Sequence, residues 1–172
     1  GARALHHVAA VVVESRGGAF THSAPSTDFE AYINSLKNLL LKPSQQGQRF
    51  VDYLKSAATV ELFDEAHNSI GSLSRDGFRH ISVCAVTLDP FTELAAQAQH
   101  LKDVGVDVGQ EPVWPISVDD LRVYADIFAN PLEFLHFSEQ RAAAFGSKVL
   151  QLDDELDHLG LYFAHNRYVD YA

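Results

Sequence analysis

Three short runs rich in β-branched and small apolar residues, 8–13, 80–88 and 113–117, are set apart by longer stretches with helical spacing. Runs of that length bounded by turn residues read as strands. The first, Val8 to Val13, contains no polar residue and is closed by Gly17 and Gly18, which predicts a strand buried on both faces. Strands of this kind, alternating with helices, belong to a sheet with helices packed against it. One hairpin interrupts the alternation: Thr59 to Phe63 and Ser69 to Leu73 flank the turn-rich segment Asp64 to Asn68. The expected class is therefore α/β, with a mixed central sheet flanked by helices.

The helices announce their own starts. Thr27 and Glu30 have the spacing of a capping box, and Phe29, Tyr32, Ile33, Leu36, Leu39 and Leu40 form one apolar stripe. Pro43 is expected to interrupt that helix and to sit in the first turn of another running to about Ala57. Residues 91–102 are helical in character. Ser117 with Asp120, and Asn130 with Pro131 and Glu133, mark two further starts. The second continues to about Phe145, and Leu156, Leu159, Tyr162 and Phe163 predict a last helix. With 172 residues and no repeat or linker, one domain is expected, with a core over 8–88 and an α-rich extension over 89–172.

Charge and composition narrow the function. The formal net charge is -10, from 23 acidic and 13 basic side chains, which opposes general affinity for a polyanion. The longest aliphatic run is too short to cross a bilayer and lacks the basic flank of a signal peptide. Cys84 is the only cysteine, so no disulfide forms within the chain, and a reducing, cytoplasmic setting is expected. The chain starts at Gly1 and has no methionine, which predicts an N-terminus trimmed, tagged or cut from something longer. His158 and His165 lie two helical turns apart, too far to share a metal. The acidic segment 153–158 is read as a helix first turn and Trp114 as core. Cys84 has no histidine at useful spacing, and neither a Gly-x-Ser-x-Gly elbow nor a glycine-rich phosphate loop occurs.

One place combines a strand end with charge. In VVVESRGGAF, residues 11–20, a strand delivers Glu14 and, two residues on, Arg16. A carboxylate there can hold a hard divalent cation, and a cation beside it can stabilise charge developing on phosphate. The equally simple reading is a buried strand reaching water.

That run, followed by the helix with KPSQQGQRFVDYL, resembles the second half of the restriction-endonuclease-like core that carries the PD-(D/E)xK motif. The resemblance covers about residues 8–57. Further on, VWPISVDDL, NPLEFLHF and DELDHLGLYF look like the tail of uncharacterised bacterial proteins with such a core. The resemblance implies a nuclease that hydrolyses nucleic-acid phosphodiesters with Mg²⁺. Glu14 and the Ser15 carbonyl would take the metal, Arg16 would face phosphate, and Gln46, preferred to Gln48, would be the helical glutamine. Two departures stand out. Residues 1–13 contain no Asp or Glu to match the second acidic position. Arg16 stands where the motif has Lys, and its guanidinium does not release a proton to act as a base. The alternative is an inactive binding or assembly module of the same fold, acting as a homo-oligomer or on a protein partner.

Overall fold

Residues 9–17, 28–88, 96, 98–109, 112–147 and 149–171 are described by a computed structural model. The three apolar runs form strands β1 (Ala9–Arg16), β4 (His80–Thr87) and β5 (Val113–Ser117), while β2 (Thr59–Phe63) and β3 (Ser69–Ser74) make the hairpin. β1, β4 and β5 pair in that order, all parallel, with Ala9 opposite His80, Arg16 opposite Thr87, and Val83 opposite Val113. The hairpin forms where the sequence places it, but as a separate two-stranded antiparallel sheet. The central sheet is therefore parallel throughout among the described residues, and not mixed. The hairpin's turn is fixed locally: Asp64 Oδ1 accepts the amides of Ala66 (2.9 Å) and Asn68 (2.8 Å).

Pro43 does not break the first helix. Helix α1 (Phe29–Leu36) passes through a π-helical segment, Lys37–Leu41, directly into α2 (Lys42–Lys55). In a regular α-helix the proline ring would clash with the carbonyl four residues back and leave it without a donor. Here the amide of Lys42 bonds to the carbonyl of Lys37, five residues back, and the widened turn admits the ring. The Ser44 hydroxyl donates to the Leu40 carbonyl at 2.6 Å, which satisfies a second acceptor at the bulge. The helix is capped by Asp28, whose carboxylate accepts from the Ala31 amide at 2.9 Å. Thr27, expected as the cap, lies outside the described residues.

Side-chain alternation divides the interior in two. Val12, Val83, Ala85 and Val113 face a core made with Leu36, Leu40 and Val51 of the long helix and with Leu101, Val106 and Val108. Cys84, Val86, Trp114 and Ile116 face the other core, built with Tyr124, Phe128, Phe137 and Leu159. Those residues belong to or follow α3 (Val118–Ile127), α4 (Pro131–Phe145) and α5 (Glu155–Ala164). The product is a three-layer α/β/α arrangement. Half of the expected helix over 91–102 falls outside the described residues, and Ala98–Val104 is a 3-10 helix.

β1 is not buried on both faces: among the described residues it is an outer strand, only Val12 of it is buried, and Val13 is 59% exposed. α2 lies close against the sheet at Gly47, where an added Cβ would overlap Cγ1 of the fully buried Val83. The short stem of a β-branched valine cannot swing aside in a packed core. Gly47→Ala is therefore expected to destabilise the fold by about 1–3 kcal/mol, read from the urea midpoint at unchanged m-value.

Candidate functional site

Glu14, Ser15 and Arg16 end β1, paired with Ala85, Val86 and Thr87. They therefore stand at the carboxyl edge of a parallel sheet, where open α/β folds bind their ligands. Glu14 and Arg16 share the face of Val12, the side covered by the long helix, and Ser15 points to the other. Glu14 is half-buried and Arg16 exposed, and neither forms an ion pair or hydrogen bond among the described residues.

The two glutamines leave α2 in different directions. Gln48 turns toward Gly109 and lines a cavity of about 590 Å³ with Gln99 and Lys102, while its Nε2 donates to Asp52 at 3.2 Å. Gln46 is exposed and, two residues away on the helix, leaves its opposite flank. Gly47, beside it, meets Val83, which stands opposite Val12 of β1. Glu14 and Arg16 thus lie on the face covered by the helix that carries Gln46, whereas Gln48 belongs to a different cavity.

Mg²⁺ needs several fixed oxygens to offset its dehydration. No group of three or more His, Cys, Asp or Glu side chains that could hold a metal occurs among the described residues. One carboxylate and the Ser15 carbonyl do not complete such a shell.

Strongly perturbed ionisable groups, a common signature of active sites, collect elsewhere. Arg141 on α4 is 1% exposed, and its guanidinium grips the fully buried Glu155 of α5 through Nε to Oε1 (3.0 Å) and Nη2 to Oε2 (2.9 Å). Trp114 Nε1 donates to the same carboxylate at 2.6 Å, and the Tyr124 hydroxyl donates to the Glu155 carbonyl at 3.1 Å. Nearby, His158 lies between the Tyr168 hydroxyl (2.9 Å) and the Ala96 carbonyl (3.3 Å). Burial, reinforced by the Arg141 charge, pushes the His158 pKa down to about 3. Burial likewise pushes the Cys84 thiol up to about 12, where it is no nucleophile. Sealed from solvent, the network holds the fold together and admits no substrate.

No family model, curated protein or solved structure matches the chain. The sequence placed the acidic segment 153–158 in a first helical turn, and Asp154 with Asp157 does form a capping box there. It did not reveal that Glu155 turns inward. The available signal was Arg141, a lone cation on the face of α4 that also carries Phe137, Ser138 and Ala144.

Two measurements probe the buried network. Removing one partner of a buried ion pair leaves the other charge unpaired, so Glu155→Ala and Arg141→Leu should each cost about 3–5 kcal/mol in urea unfolding. The double variant should cost clearly less than the sum of the two. His158 is neutral when folded and binds a proton when unfolded, because its folded pKa lies below the ordinary value of 6.5. Its contribution is therefore intact above about pH 6.5 and lost toward pH 3, at about 1.4 kcal/mol per pH unit. Between pH 6 and pH 4, His158→Gln should reduce the slope of stability against pH by roughly one proton.

Proposed function

We propose that this chain is an assembly module: it keeps the strand–helix–strand unit of a nuclease-like core and uses the open side of β1 to pack against a second copy of itself. The observation that carries this reading is Val13. It belongs to a run of valines suited to burial, yet α3 to α5 cover β4 and β5 and leave it 59% exposed. Apolar area on an outer strand favours an added strand, which supplies backbone partners and covers the side chain together. The strand end is also self-complementary. In an antiparallel pair centred on Ser15, Glu14 of one copy stands opposite Arg16 of the other, and opposite charges on facing strands attract. The overall charge of -10 opposes a polyanion and a second copy alike, so the self-pairing rests on the local match of Glu14 with Arg16.

A second reading, hydrolysis of nucleic-acid phosphodiesters, draws on Glu14 and Arg16 at the carboxyl edge of the sheet, on the face covered by the helix that carries Gln46. In that reading Glu14 and the Ser15 carbonyl take Mg²⁺, Arg16 faces phosphate, and Gln46 orients water or substrate. The described oxygens do not complete the ion's shell, so the assembly reading is preferred. Sedimentation velocity and a cleavage assay on single- and double-stranded substrates with Mg²⁺ or Mn²⁺ separate the two. Assembly expects a dimer that Val13→Lys converts to monomer, with no cleavage. A monomer that cuts nucleic acid, and stops cutting as Glu14→Ala, would reverse the preference.

A further inference from the structure

A cleft of about 800 Å³ opens at the other end of the sheet, where the amino ends of β1 and β4 meet the turn after the hairpin, the last residue of α2 and one face of α4. That volume suits a small organic ligand. Ala9, on its floor, is about 17 Å from Glu14 along β1, so the cleft is independent of the strand end.

Three basic side chains, Lys55, Arg75 and Arg79, line the cleft against two acidic ones, Asp76 and Glu139. The excess is one positive charge, in a chain whose formal net charge is -10. Existing partners decide where that charge is free. Arg75 lies 3.6 Å from Asp76, Glu139 lies 3.2 Å from the His80 ring, and Lys55 is engaged as well. Arg79 is exposed and forms no ion pair or hydrogen bond among the described residues. Apolar side chains supply much of the remaining lining. Leu132 and Leu135 share one face of α4, and Phe78 precedes Arg79 in the turn. Leu132 is 68% exposed, so a molecule seated in the cleft removes apolar area from water. One free cation among apolar groups calls for one negative charge on an apolar body.

We propose that this cleft binds a small organic monocarboxylate, its carboxylate on Arg79 and its apolar body against Leu132, Leu135 and Phe78. A guanidinium fork meets both oxygens of a carboxylate, and the ligand's single charge equals the excess in the cleft. A dianion such as a phosphate monoester brings a second charge that Arg79 alone does not answer, into a chain that already repels anions. The same carboxylate and apolar body are offered by a free acid and by the carboxyl end of an apolar peptide.

The test titrates the full chain, at low salt and neutral pH, with octanoate, octanamide, acetate and an N-acetylated tripeptide ending in leucine. Binding is followed calorimetrically and by the amide signals of residues 80–82. Octanoate should bind more tightly than octanamide, which lacks the charge, and than acetate, which lacks the body. Arg79→Gln should weaken octanoate by about tenfold, to the level of octanamide. Leu132→Gln should weaken it severalfold. Arg49→Gln, the same loss of charge at the cavity that Gln48 lines, should change nothing, and thermal melts of the three variants establish that they fold. Tighter binding of the tripeptide than of octanoate would assign a peptide end as the source, and equal or weaker binding a free acid. The proposal is overturned if octanoate does not saturate the protein at millimolar concentration or if octanamide binds as tightly, neither of which needs a variant. It is overturned equally if Arg79→Gln and Arg49→Gln weaken octanoate alike.

Discussion

The buried pair of Arg141 and Glu155 is the constraint on which the C-terminal half depends. An apolar contact between α4 and α5 would tolerate small slides along either helix. A guanidinium fork on a carboxylate, with an indole N–H on the same oxygens, fits in one register only. Because Trp114 sits on β5 and Tyr124 on α3, Glu155 ties three helices to the sheet through its carboxylate and its carbonyl. Phe128 and Phe137 then close around the Tyr124 ring, with centroids 6.3 and 4.9 Å away. Such a cluster is costly to desolvate, and its return lies in fixing one arrangement as much as in stability.

How far the fold could be read from the sequence depends on which forces are local. Strand and helix types were legible because apolar spacing and caps are written within a few residues, as at Asn130 and Pro131, where the Asn130 carboxamide accepts the Leu132 amide. The length of β1 and its exposed face were not legible, since a valine run looks the same at the centre of a sheet and at its edge. The fate of the hairpin was hidden for a related reason: alternation reveals that two strands pair, but not which sheet they join. Pro43 misled because its effect depends on the hydrogen-bond register of the preceding turn. Arg141 and Glu155 are fourteen residues apart and come together only through packing.

The candidate site divides along the same line. Glu14 at a strand end is a local fact, and the sequence places it correctly at the carboxyl edge of the sheet. Which groups gather around it is a tertiary fact. Helical spacing sets Gln46 and Gln48 on opposite flanks, but which flank meets the cavity with Gln99 and Lys102 is decided by packing. The cleft at the far end is wholly tertiary. Lys55, Arg79 and Leu132 are far apart in sequence and meet only through packing.

The π-helical segment at Lys37–Leu41 has a consequence for how this chain tolerates changes in length. An α-helix keeps a strict phase, so one inserted residue turns the helix on its amino side by about 100° relative to the helix on its carboxyl side. A single wide turn already holds one surplus residue, and it stands between two lengths of helix with separate anchors. α1 is seated by Leu36 and the segment itself by Leu40, whereas α2 is seated by Gly47, Val51 and Leu54. The segment therefore works as a phase joint: α1 can be reset against its core without moving Gly47 from Val83. A proline that would ordinarily end a helix instead marks where this one can be retuned.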